Sequence, residues 1–146
     1  MHVYLAGPLF TLAEQTFNLR LAKSIENIES TLKLVLPQLK NKELQKSECF
    51  THDIFNYCVE MVNQSHLLVA ILDGADADSG TCIEMGLAYA QGKPIIGVRT
   101  DFRSLEDRGL NLMVSFACSR LIWQPTENTD DLAREIVKAI REVTSS

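Results

Sequence analysis

Apolar positions along the chain fall into two alternating kinds of run. Val3–Ala6, Leu34–Leu36, Leu67–Leu72, Ile95–Val98 and Leu121–Trp123 are short and almost wholly apolar, as expected of strands buried on both faces. Between them, apolar residues return at helical spacing: Phe17, Leu21, Ile25 and Ile28, then Ile54, Cys58, Met61 and Val62, then Ile83, Leu87 and Ala90. A last stripe, Leu132, Ile136, Val137, Ile140 and Val143, predicts a C-terminal helix, and Leu110 to Phe116 predicts a short one. Gly7-Pro8 ends the first strand, Thr11-Leu-Ala-Glu14 has the form of a capping box, and Gly92-Lys93-Pro94 stops the helix before the fourth strand. Pro37 to Cys49 is polar, Lys-rich and without a clear period, which predicts a loop or lid.

Strands alternating with helices at these intervals predict right-handed βαβ crossovers and a five-stranded parallel sheet covered on both faces. The expected architecture is a flavodoxin-like or Rossmann-like three-layer sandwich, with residues 1–146 forming a single domain. GxGxxG is absent, so this architecture does not by itself indicate a dinucleotide.

Composition narrows the partners. A net charge of −5 and the absence of a Lys/Arg cluster argue against a nucleic-acid polymer, whose phosphates need several cations on one surface. Cys49, Cys58, Cys82 and Cys118 lack metal-ligand spacing and read as small apolar residues in a reducing compartment. His52 and His66 have no partner at metal or triad spacing and read as structural or exposed. The chain starts almost at once with a strand rather than a secretory leader, and no apolar run has membrane-spanning length. A cytosolic, soluble protein acting on a small molecule, without metal or organic cofactor, is the expectation.

The chemistry is concentrated in Asp76-Ala-Asp78-Ser-Gly80-Thr-Cys-Ile-Glu84-Met-Gly86. This acidic glycine turn follows the Leu67–Leu72 strand, at the end of the sheet where open α/β folds bind ligands. Glu84 lies about one turn into the next helix, where the dipole favours an ionised carboxylate suited to nucleophilic attack. Gly86, Ala88 and Ala90 are expected to let that helix pack closely and fix the carboxylate. The same pattern also fits a plain helix start, with Asp78 as N-cap and Glu84 an ordinary glutamate.

Other segments tip the balance. With Tyr4-Leu-Ala-Gly-Pro-Leu-Phe10, Ala70-Ile-Leu-Asp-Gly74, Asp78-Ser-Gly-Thr-Cys-Ile-Glu84-Met-Gly86, Gly92-Lys-Pro94 and Asn111-Leu-Met113 in this order, the chain resembles the nucleoside 2-deoxyribosyltransferases over almost its whole length. The resemblance implies a flavodoxin-like fold and transfer of 2-deoxyribose between free nucleobases, with Glu84 as nucleophile and Tyr4 orienting it. It assigns Asp78 to the sugar hydroxyl and places Gly7, Leu9, Phe10 and Met113 with Asp78 among the substrate-binding residues. Asn111 would reach the same hydroxyl from a neighbouring subunit of a homo-oligomer, though it also fits a helix N-cap. Tyr4 equally fits a core aromatic of a strand, and Gln38 is a candidate reader of a base edge.

One position departs from the pattern. Where many relatives carry an aspartate that exchanges a proton with the base, this chain has Cys58, and a neutral thiol is a poor general acid. Asp53, Asp73 or water remain as alternatives. Arg99-Thr-Asp-Phe-Arg103 reads as a gate, a subunit contact or a solvated charged loop. Competing functions are hydrolysis of nucleosides or deoxynucleotides through the same intermediate, a phosphoribohydrolase suggested by Gly80-Thr-Cys-Ile-Glu84, and a non-catalytic nucleotide sensor. The apolar Gly7–Phe10 turn favours unphosphorylated nucleosides, because a phosphate calls for cations or hydroxyls there.

Overall fold

A computed structural model describes residues 1–44, 46, 48–103, 110–126 and 128–145, with the side chain of Lys42 excepted. Its strands are β1 (His2–Ala6), β2 (Lys33–Val35), β3 (Leu67–Ile71), β4 (Ile95–Arg99) and β5 (Arg120–Trp123). The helices are α1 (Leu12–Ile28), α2 (Pro37–Leu44), α3 (Phe50–Gln64), α4 (Ser79–Ala90), α5 (Leu112–Ala117) and α6 (Thr129–Thr144). All strand pairs are parallel, in the order β2-β1-β3-β4-β5, giving the flavodoxin-like arrangement expected from the alternation of elements. In this order the chain reverses direction across the sheet between β1 and β3, which opens a crevice at their carboxyl ends.

The two-residue period of a strand divides the core into two layers. Val3 and Leu5 of β1, with Leu67, Val69 and Ile71 of β3, pack under Leu21 and Ile25 of α1 and Ile136 and Ile140 of α6. Tyr4 and Ala6, with Leu68 and Ala70, face the opposite layer, formed by Val62 of α3, Met85 and Ala88 of α4, and the partly buried Val114 and Ala117 of α5. A one-residue slip of β1 would therefore move Tyr4 to the wrong side of the sheet. Gly97 of β4 makes the second layer possible: a Cβ there would lie 2.6 Å from Cys118 Sγ and 2.9 Å from Leu121 Cδ1.

The Thr11 capping box is formed as predicted. The segment after Pro37 is not the predicted loop or lid: Pro37–Leu44 is a helix. Proline is favoured at a first helical position, and a helix that buries little beyond Pro37 and Gln38 carries almost no apolar periodicity to read. Arg99 is not part of a solvated loop or gate. Its side chain is 1% exposed, donating from Nη1 to the Leu72 carbonyl at 2.8 Å and from Nη2 to the Gly74 carbonyl at 3.1 Å, with its guanidinium 5.8 Å from the Trp123 ring centroid. Asp73 answers across the same seam, accepting from the Thr100 and Asp101 amides at 2.6 and 2.9 Å. These bonds clasp the turn after β3 to the end of β4, and that turn leads into α4. Among the described residues no helix is long and apolar enough to cross a membrane.

Candidate active site

Tyr4, in the middle of β1, is fully buried and directed at α4, where its hydroxyl donates to Glu84 Oε1 at 2.6 Å. Glu84 is the sixth residue of α4, beyond the first turn over which the dipole acts strongly. The expectation of a readily ionised carboxylate is corrected accordingly. Burial pushes the Glu84 carboxyl up to about 7; the Tyr4 hydrogen bond and the Cys58 thiol oppose this, while the Asp78 charge adds to it. Desolvation wins because the dipole and one phenol do not replace the water that the carboxylate has lost. Tyr4 is held well above the usual phenol range, first by burial and then by the neighbouring Glu84 charge, so it remains a donor. Cys58 of α3 lies beside both groups, its thiol pushed up by burial, and offers no acid near neutrality.

Of the three small residues expected to pack α4 closely, Ala88 alone is buried. Thr81, Met85 and Ala88 are buried, whereas Gly86 and Ala90 are exposed and a Cβ at Gly86 would meet nothing within 4 Å. Asp78 is the N-cap of α4, its Oδ2 accepting from the Thr81 amide at 2.9 Å and from Thr81 Oγ1 at 3.1 Å. Both structural readings from the sequence therefore hold: Asp78 caps the helix and Tyr4 packs in the core. Neither prevents a further role, since Asp78 Oδ1 carries no hydrogen bond from the described residues and the Tyr4 hydroxyl holds the carboxylate.

A cleft of about 600 Å³ opens over this pair, at the crevice between the ends of β1 and β3. Glu84, Asp78, Gly80 and Thr81 line it from the α4 side, Gly7, Leu9 and Phe10 from the turn after β1, and Cys58, Phe50 and Ile54 from α3. Gln38 and Asn41 of α2 complete it, so the helix missed in the sequence is a wall of the site. Gln38 is not a free reader of bases: its Oε1 accepts from Asn18 Nδ2 at 3.1 Å and its Nε2 donates to the Gln15 carbonyl at 2.9 Å. Asn18 and Gln15 in turn hold the Pro8 and Leu9 carbonyls at 3.0 and 2.9 Å, fixing the turn that carries Phe10. Phe10 itself stands 75% exposed at the rim, available for a ligand.

Asn111 and Met113 are not brought to this cleft within one chain. Asn111 caps α5, its Oδ1 accepting from the Met113 amide at 2.9 Å. Met113 lines a separate apolar groove of about 410 Å³ with Met85, Tyr89 and Phe116. Of the alternatives to Cys58 as proton donor, Asp73 is taken up by the β3–β4 clasp, and Asp53 is not among the described residues lining the cleft.

The half-buried Glu84 of α4 is thus held by Tyr4 of β1 at a cleft it shares with Asp78, and residues 3–114 of the chain match a family model described as nucleoside 2-deoxyribosyltransferase. The chain belongs to the nucleoside 2-deoxyribosyltransferase family. Solved structures agree on the fold. A conserved protein from Enterococcus faecalis V583 is 28% identical with a TM-score of 0.77, covering 95% of this chain and 98% of that one. A 2-deoxyribosyltransferase from Bacillus psychrosaccharolyticus is 20% identical with a TM-score of 0.70 over 91% and 90% of the two chains. A CMP N-glycosidase from Clostridium botulinum is 17% identical with a TM-score of 0.61 over 93% and 98%. No curated protein sequence matches. Family membership identifies a glycosyl-transferring or glycoside-cleaving enzyme, and it gives the Tyr4–Glu84 contact a chemical context.

Proposed function

We propose that the protein exchanges nucleobases on 2-deoxyribonucleosides through a covalent deoxyribosyl–Glu84 intermediate. The observation that carries this reading is the 2.6 Å hydrogen bond by which Tyr4 holds one oxygen of a half-buried carboxylate that lines the cleft. In the first step a Glu84 oxygen bonds to the anomeric carbon while the glycosidic bond breaks, and the base leaves with the electron pair and takes up a proton. In the second, an incoming base attacks the same carbon, loses its proton and releases Glu84. Two inversions give net retention, and dividing the displacement lowers each barrier. Asp78 Oδ1 accepts from the sugar hydroxyl, and Phe10 and Leu9 pack on the base. Leaving-base protonation falls to water, because Cys58 stands where a carboxylic acid would serve.

The lining of the cleft favours nucleosides over nucleotides. Among its described residues there is no Lys, Arg or His, and the Thr81 amide at the start of α4 is already taken by Asp78. A monophosphate would find no counter-charge there. An assembled form is part of the same reading. Ile83, Tyr89, Leu112, Met113 and Phe116 are each at least 61% exposed along α4 and α5, an apolar surface that suits a second copy of the chain. Such a partner would bring its Asn111 toward the neighbouring cleft.

Incubation with 2-deoxyinosine and free adenine or cytosine tests the proposal. A new deoxynucleoside is the expected product, and Glu84→Ala should lower its formation by on the order of 10³-fold or more while the fold persists. Release of hypoxanthine and deoxyribose without transfer would make the protein a hydrolase, and near-wild-type turnover of Glu84→Ala would remove Glu84 as nucleophile.

A further inference from the structure

Three side-chain amides join the two sides of the cleft. On one side the turn after β1 carries Leu9 and Phe10, and α1 takes up its backbone groups. Asn18 Nδ2 donates to the Pro8 carbonyl at 3.0 Å, Gln15 Nε2 donates to the Leu9 carbonyl at 2.9 Å, and Glu14 Oε2 accepts from the Phe10 and Thr11 amides at 3.0 and 2.7 Å. On the other side α2 packs mainly against α3 and is tied to α1 through Gln38, which accepts from Asn18 Nδ2 at 3.1 Å and donates to the Gln15 carbonyl at 2.9 Å. The Asn18 nitrogen is therefore shared by both sides. Asn18 is 5% exposed and, unlike Gln15 and Gln38, is not among the residues lining the cleft.

Each amide is oriented by its partner. A carbonyl can only accept, so the Asn18 nitrogen faces Pro8; that nitrogen meets the Gln38 oxygen, and the Gln38 nitrogen is left for the Gln15 carbonyl. Moving either wall would leave buried polar groups unpaired, a cost larger than the modest net worth of the bonds themselves. The geometry points to Asn18 as a positioning residue that holds the Phe10 turn and α2 at a fixed separation and so sets the size of nucleobase the cleft accepts. This rests on the reading of the cleft as a nucleobase site. A wall held in place resists extra bulk as a packed core does, whereas a wall cut from its tie moves aside.

Calorimetry on the full chain compares 2-deoxyadenosine with the same nucleoside carrying a benzyl group on its exocyclic amine. The proteins are wild type, Asn18→Leu, Gln38→Met and the double variant, with folding checked by circular dichroism. Wild type should bind the smaller nucleoside about tenfold or more tightly, the usual penalty for overfilling a packed space. In each single variant that ratio should fall severalfold, the smaller ligand losing affinity and the bulkier one keeping it. The double variant should match the single ones rather than add to them, because both substitutions cut one tie and together leave fewer amides unpaired. Should one single variant not fold, the other carries the test. Equal affinities in wild type, a ratio unchanged by substitution, or parallel loss of both ligands would each overturn the assignment, the last because lost stability alone acts on both alike. Base exchange is assayed on the same preparations. A ratio that follows the tie without any transfer would refute the transferase and leave the assignment of Asn18 standing. Transfer with a ratio independent of the tie would do the reverse, and failure of both nucleosides to bind would refute both.

Discussion

Tyr4 donates its phenolic hydrogen to Glu84 Oε1 at 2.6 Å although the two residues lie 80 positions apart. The contact exists because β1 presents Tyr4 to the layer that contains α4, and it offsets part of the desolvation that raises the Glu84 carboxyl to about 7. Tyr4→Phe keeps the ring and removes the donor. The rate of base exchange should fall roughly 10- to 100-fold, in keeping with the loss of a hydrogen bond to a charged group. The acidic limb of its pH–rate profile should move upward, since Glu84 then ionises less readily. An unmoved limb would show that Tyr4 packs without tuning the carboxylate.

Glu84→Gln separates catalysis from stability. In the folded protein the carboxyl ionises near 7, in the unfolded chain near 4.3. Below the lower value both states are protonated and burial carries no charge penalty. As pH rises between the two values the unfolded chain ionises first and is favoured, so the penalty grows and then stays constant above 7. The neutral amide should therefore raise unfolding free energy by on the order of 3 kcal/mol at pH 8 and by little at pH 4, while abolishing exchange. Urea titrations at the two pH values check the sign.

Cys58→Asp places a second carboxylate beside Glu84 and Tyr4. Like charges at close range cannot both ionise readily, so the acidic limb for nucleophilic attack should shift above 7. Should the introduced carboxyl, when protonated, also assist the leaving base, exchange with poorly leaving pyrimidines should gain most. A pH–rate profile identical to wild type would place position 58 outside the reacting network.

Subunit exchange can be read by complementation. Glu84→Ala and Asn111→Ala should each be inactive alone if Asn111 completes a partner's cleft. Mixed after reversible dissociation, they should recover about a quarter of wild-type activity, because half of randomly paired dimers then hold one intact site of two. No recovery, with both variants assembled, would confine Asn111 to its cap on α5.

Gly97→Ala tests the second core layer without touching the cleft. The added methyl would meet Cys118 Sγ at 2.6 Å and the Leu121 and Leu72 Cδ1 atoms at 2.9 Å. Overpacking of this kind should lower stability by about 1–3 kcal/mol, seen as a reduced denaturant midpoint with little change in KM.

Much of this molecule could be read along the chain because much of it is periodic. The strands announced themselves as dense apolar runs, α1 and α6 as stripes, and the start of α1 as a capping box that the structure forms. The α2 helix left no such mark: it lies at the edge of the cleft and buries too few apolar side chains to impose a period. Arg99 reads as a surface charge in sequence because nothing local shows that the Leu72 and Gly74 carbonyls will surround its guanidinium. Gln38 and Asn41 look equivalent on paper, and only the neighbours brought by α1 satisfy one and leave the other unpaired.

The order of elements, the acidic glycine turn and the pairing of Tyr4 with Glu84 in one family pattern were determined by the sequence, since these depend on residue type and spacing. The protonation of Glu84 was decided by tertiary structure. A local argument from the helix terminus favours the anion, but that field fades within a turn, whereas burial under β1 and α3 removes the water on which a carboxylate depends. Desolvation is a property of everything packed around a group, so it appears only once distant segments have met.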